Sequence, residues 1–171
     1  PRAHTSPHTY PGKGVFLTKV LSKINAAGPG YGCLNQHLPS TGYFAKCEGK
    51  HFTSGIDLHL LQEIGIQSEE YQCEGRKRDF LRREIIQLQS SFNELERCRK
   101  PVIAAIHGSC IGGGVDLITA CDLRYATKDA HFQIKEIDLG LVADVGTLQR
   151  LPTLIHQGTV RELAFTGRIF D

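Results

Sequence analysis

The stretch from Pro101 to Asp116 constrains the fold of this chain more than any other. Pro101-Val102-Ile103-Ala104-Ala105-Ile106-His107-Gly108 is a short apolar run bounded by Pro and Gly, the pattern of a buried strand. Ile111-Gly112-Gly113-Gly114-Val115-Asp116 follows, a glycine turn that opens a helix over 113–120. Strand, side-chain-free turn and helix in that order place backbone close to something else, either a neighbouring element or a ligand. Bare amides beside a carboxylate at a helix start suit an oxyanion. Close helix–strand packing is the competing use of the same glycines, and the residues alone leave both open. The turn has neither the Gly-Lys-Ser/Thr ending of a phosphate loop nor the G-x-G-x-x-G spacing of a dinucleotide site, so nucleotide phosphate is a poor fit.

Around this stretch the periodicity alternates. Residues 16, 17, 20, 21 and 24 form a helical stripe over 15–25, and 26–42 is loop-like. Gly42-Tyr43-Phe44-Ala45-Lys46-Cys47 predicts a short strand. Phe52 to Leu58 reads as a second apolar turn containing glycine. Leu81, Ile85, Leu88, Phe92 and Leu95 share one face of a helix over 79–96, with Arg76-Lys77-Arg78, Arg82 and Arg83 at its solvated end. Strands are predicted at 122–126 and 131–134, and helical patches at 145–151 and 159–166. Strands alternating with helices give an α/β fold.

At 171 residues the chain is one domain's worth of sequence. A net charge of +2 argues against a nucleic-acid partner, and no apolar run reaches membrane-spanning length. Cys33, Cys47, Cys73, Cys98, Cys110 and Cys121 show no C-x-x-C or metal-ligand spacing, so they are expected to be reduced thiols, several of them core filler. The first acid is Glu48, yet prolines interrupt the basic leader and weaken a targeting reading. The chain starts at Pro1 and has no Met, which implies processing or a partial sequence.

Asp116, Glu136 and Asp144 sit near turns in the second half. Glu136 and Asp144 interrupt apolar sequence, and a carboxyl in apolar surroundings has the raised pKa that acid–base work near neutral pH needs. His107 reads as a hydrogen-bonded turn histidine, and His51 and His59 as surface or ligand-edge residues. Cys110 reads as small core filler. Asp122 and Arg124 predict a strand-edge ion pair.

These motifs resemble the crotonase, or enoyl-CoA hydratase/isomerase, superfamily over residues 49–168. The resemblance rests on Lys50-His51-Phe52-Thr53-Ser54-Gly55-Ile56-Asp57-Leu58, on the Lys100 to Gly108 strand, on the glycine triplet, on Ala120-Cys121-Asp122-Leu123-Arg124, and on Leu139-Gly140-Leu141 through Gln149-Arg150-Leu151-Pro152. It implies a crotonase-like ββα spiral, incomplete, with the N-terminal hairpin and the C-terminal helices missing. Residues 28–39 carry little strand character. Residues 1–48 are then a divergent, partly irregular segment with one helix, and 49–171 a partial catalytic core.

By the same resemblance the substrate is an acyl-CoA thioester, with no metal or redox cofactor, no nucleic acid and no membrane. The assembly it implies is the family-type trimer or hexamer, which the C-terminal helices help to build. The location implied is the mitochondrial matrix or the peroxisome. Backbone N–H groups of Ile56 and Gly113 match the family's oxyanion hole, with Ser54, Gly55, Asp57, Gly112 and Gly114 around the substrate. Asp116, Glu136 and Asp144 together resemble the members that convert a 3,5-dienoyl-CoA into its 2,4 isomer. Hydration of an enoyl-CoA, Δ3–Δ2 isomerisation and an inactive truncated relative are the alternatives.

Overall fold

The computed structural model describes residues 33–38, 42–47 and 49–171. The helix expected over 15–25 lies outside them. Strands β1 (Cys33–Leu38), β2 (Gly42–Cys47), β3 (Val102–Ile106) and β5 (Leu123–Ala126) form one sheet in the order β1-β2-β3-β5. β1 runs antiparallel to β2, and β2, β3 and β5 are parallel. A second, two-stranded parallel sheet joins β4 (Ser109–Ile111) to β6 (His131–Gln133).

The β1–β2 pair corrects the expectation of a missing N-terminal hairpin. Its first strand has weak intrinsic preference, but register with Gly42–Cys47 supplies the ladder that propensity does not. The sheet consequently runs across the boundary placed between residues 48 and 49. Cys47 is disulfide-bonded, which corrects the expectation that all six thiols are reduced. In the β1–β2 register it stands opposite Cys33. Cys73, Cys98, Cys110 and Cys121 are free.

The helices are α1 (Leu58–Glu69), α2 (Glu74–Glu96), α3 (Gly113–Thr119), α4 (Thr147–Arg150) and α5 (Gln157–Thr166). Short 3-10 turns occupy Glu136–Leu139 and Leu151–Thr153. On β3, Val102, Ala104 and Ile106 are buried on one face, and α2 lays Leu88, Phe92 and Leu95 into the same core. A separate cluster gathers Ile134, Ala143, Leu151, Val160 and Leu163. Ala143 belongs to this cluster, while Val145 belongs to the main core. The loop bearing Asp144 is therefore anchored on both sides. No helix of the described residues is long and apolar enough to cross a membrane.

Candidate active site

The two glycine turns meet through backbone. Thr53 is stitched to the β4 segment, its N–H donating to the Ser109 carbonyl at 3.0 Å and its carbonyl accepting from Ile111 N–H at 3.2 Å. Gly55 follows at φ +107°, with its N–H donating to Thr53 Oγ1 at 3.1 Å. A Cβ added to Gly55 would lie 3.1 Å from the Ile111 carbonyl oxygen and 3.7 Å from the Gly113 nitrogen. One added to Gly113 would lie 2.7 Å from Ile56 Cγ1 and 3.5 Å from the Ile56 nitrogen. The Ile56 and Gly113 amides are thus neighbours, and neither donates a hydrogen bond among the described residues.

Each residue of the triplet meets a different neighbour. Gly112 adopts φ +53°, and a Cβ there would sit 3.3 Å from Glu136 Oε1. Gly113 faces Ile56. On Gly114 a Cβ would reach 2.3 Å from Thr53 Cγ2 and 3.2 Å from Cys110 Sγ. The close-packing reading holds at Gly114, and at Gly113 the absence of a side chain sets two main-chain amides side by side.

Asp116 is 0% exposed on α3, which sets it apart from a solvated first-turn acid. Its Oδ1 accepts from the Thr147 N–H at 2.6 Å and from Thr147 Oγ1 at 2.7 Å, whereas Oδ2 is buried without a partner. Burial pushes its pKa up to about 6, against the two Thr147 hydrogen bonds and the Arg150 charge, with Asp144 adding to the rise. Glu136 opens the 3-10 turn after β6 and is half-buried, with Oε2 unpartnered. Burial, then the Asp116 and Asp144 charges, push it up to about 7, opposed by backbone hydrogen bonds at Glu136 and Lys135. Asp144 is half-buried, and its carbonyl accepts from Gln89 Nε2 at 2.7 Å. The structure therefore brings all three expected acids within mutual electrostatic reach.

Other expected residues take supporting places. Asp57 caps α1, its Oδ1 accepting from His59 N–H at 2.9 Å, and Ser54 is exposed beside the turn. His107 Nε2 bonds the Gly49 carbonyl at 3.0 Å, and Cys110 is fully buried with its thiol pKa pushed up by burial. His51 is tied to Ser109, whose N–H donates to His51 Nδ1 at 3.1 Å. The Asp122–Arg124 ion pair is corrected. Asp122 Oδ2 instead accepts from Val102 N–H at 2.7 Å, and the Arg124 guanidinium binds the carbonyls of Ile118, Cys121 and Asp122. Both side chains are drawn to unpaired main-chain groups at the edges of β3 and α3.

Three residues beside the site take no role from the sequence: Thr147 and Arg150, which lie within the Leu139 to Pro152 stretch, and Gln89 on α2. Arg150 reaches from α4 to Asn93 and Glu96 at the end of α2, with Nε 3.1 Å from Glu96 Oε2. Gln89 lies next to Leu88 of the apolar stripe on α2, Thr147 follows Gly146, and Arg150 ends α4; none of these positions by itself points to the acids.

Residues 46–171 match the enoyl-CoA hydratase/isomerase family. The chain belongs to this family. Among curated members it is 58% identical over 123 residues to the peroxisomal Δ(3,5)-Δ(2,4)-dienoyl-CoA isomerase of Arabidopsis thaliana, covering 72% of this chain and 44% of that protein. It is 57% identical over 125 residues to the mitochondrial protein of the same name from Homo sapiens, covering 70% of this chain and 37% of that one. The chain thus spans about two fifths of these relatives' own length. A solved family member from Thermobifida fusca YX, classed as an enoyl-CoA hydratase and in complex with acetoacetyl-CoA, matches at TM-score 0.63 and 30% identity over 75% of this chain and 50% of its own. Another crystal structure from that organism, with CoA, matches at TM-score 0.64 and 33% identity over 75% and 48%.

Proposed function

We propose that this chain carries the catalytic core of an isomerase that converts a 3,5-dienoyl-CoA into the conjugated 2,4-dienoyl-CoA of fatty-acid β-oxidation. The observation that carries the reading is the gathering of Asp116, Glu136 and Asp144 beside the undonated Ile56 and Gly113 amides. The names of the 57–58% identical relatives support the reaction, and the CoA complexes of its structural neighbours support an acyl-CoA thioester.

Conjugation requires loss of a proton from C2, next to the thioester, and gain of one at C6. Glu136 takes the C2 proton. Its raised pKa of about 7 makes its carboxylate a base matched to neutral solution. Electrons then move along the chain, and negative charge spreads onto the thioester oxygen. Ile56 and Gly113 N–H groups hold that oxygen, at about 3 kcal/mol of transition-state stabilisation each. Asp144, half-exposed on the doubly anchored loop, delivers the proton to C6. Asp116, neutral below about pH 6, orients the substrate and keeps water out. Ser54, Gly55, Asp57, Gly112 and Gly114 surround the substrate, Asp57 and Gly114 acting through the turns they fix. Proton transfer alone moves both double bonds, so the reaction asks for no redox group or metal. A mitochondrial or peroxisomal setting follows the relatives' names.

The test is absorbance of the conjugated product on supplying a 3,5-dienoyl-CoA, with hydration of a 2-enoyl-CoA run in parallel. Conversion of the diene that Asp144→Asn abolishes is the expected result. Hydration alone contradicts the reading.

A further inference from the structure

We propose that Thr147 is the positioning residue of Asp116, fixing which of its two carboxyl oxygens is left to meet substrate. The proposal rests on the reading of Asp116 as part of the active site. Thr147 is itself 1% exposed and stands at the first position of α4, directly after Gly146. Gly146 adopts φ +134°, a conformation L side chains rarely take, and the Thr147 main-chain N–H donates to Asp116 Oδ1 from the turn it forms. The Thr147 hydroxyl donates to the same oxygen, at 2.7 Å against 2.6 Å for the amide. Two donors on one oxygen settle the carboxyl's rotation. Oδ2, buried and without a partner, is then the one atom of the side chain able to carry a proton or receive a ligand group.

Leaving Oδ2 unpartnered in the interior is costly for a carboxylate and much less so for a neutral acid. The groups that act on this carboxyl are few. Arg150 on α4 favours its charge; Asp144 on the anchored loop opposes it, and Glu136 after β6 and Cys110 on β4 interact with it electrostatically. The Thr147 donors favour the charged form, so the hydroxyl trades orientation against protonation.

The experiment compares Thr147→Val, which keeps the shape and the backbone donor but loses the hydroxyl, with Thr147→Ser, which keeps both donors and loses the methyl. Titration of the Asp116 carboxyl carbon by 13C NMR is the readout. The midpoint rises above the wild-type value in Thr147→Val and returns to it in Thr147→Ser. With a 3,5-dienoyl-CoA, Thr147→Val lowers kcat roughly tenfold with KM nearly unchanged, shifts the pH profile in step with the carboxyl, and Thr147→Ser restores both. A purely packing role inverts the order, leaving Val harmless and Ser damaging, and that result overturns the proposal. So does an unchanged midpoint in Thr147→Val. Should that variant not fold, the wild-type protein decides: the Thr147 amide resonance follows the Asp116 midpoint, and an amide indifferent to it overturns the proposal. Since the titration needs no turnover, a sample that shows the expected carboxyl pattern but no diene conversion contradicts the activity and leaves the positioning role standing.

Discussion

At the scale of single residues, the site is defined by two carboxyls that hold protons more tightly than free ones. Asp116 rises from 3.8 to about 6 and Glu136 from 4.5 to about 7, burial being the main cause of each. Over roughly pH 4 to 7 the folded chain binds more of these protons than the unfolded chain, so stability falls as pH rises through that window and levels off above it. Urea midpoints at pH 5 and pH 8 measure the drop, and Asp116→Asn makes it smaller; an undiminished drop contradicts the account. Glu136 and Asp144 were legible as acids set in apolar sequence, and part of that sequence enters the core: Ile134, Ala143 and Val145 are buried, whereas Ile137 and Val142 are exposed. Thr147 was not legible as a partner of Asp116. Their separation of 31 positions carries no periodicity that links the two, and the docking of α4 on α3 joins them.

Among elements, the glycine turns show how closely two segments of backbone can pack. Gly114→Ala drives a methyl into Thr53 Cγ2 and costs about 1–3 kcal/mol of overpacking, more where the stitched Thr53 backbone cannot yield. Gly65→Ala is the contrast. It lies inside α1 with nothing within 4 Å of an added Cβ, so it stabilises by about 0.5–1 kcal/mol. Chemical denaturation of the two variants checks both signs. Strand β3 and helix α3 were legible because Pro, Gly and a clean apolar run bound them. Helix α2 begins at Glu74, before the expected start, since its first turns are the polar Arg76-Lys77-Arg78 and carry no apolar mark. Helix α1 was not expected: Leu58, Leu60, Leu61, Ile64 and Ile66 scatter around its circumference, and only Ser68 is buried. Strand β4, three residues between two glycines, is too short for any period to show.

For the whole molecule, the site lies where two apolar clusters meet, with the loop from Glu136 to Thr147 spanning them. In the proposed mechanism the three acids act on one substrate while the paired turns hold the thioester oxygen. The most direct test follows hydrogen at both ends of the substrate, by incubating a 3,5-dienoyl-CoA in D2O with the wild-type chain, Glu136→Gln and Asp144→Asn. Wild type yields 2,4-product carrying deuterium at C6. Asp144→Asn still exchanges the C2 hydrogen but forms little product, and Glu136→Gln loses exchange and conversion together. C2 exchange that survives in Glu136→Gln and vanishes in Asp144→Asn contradicts the assignment of the two ends.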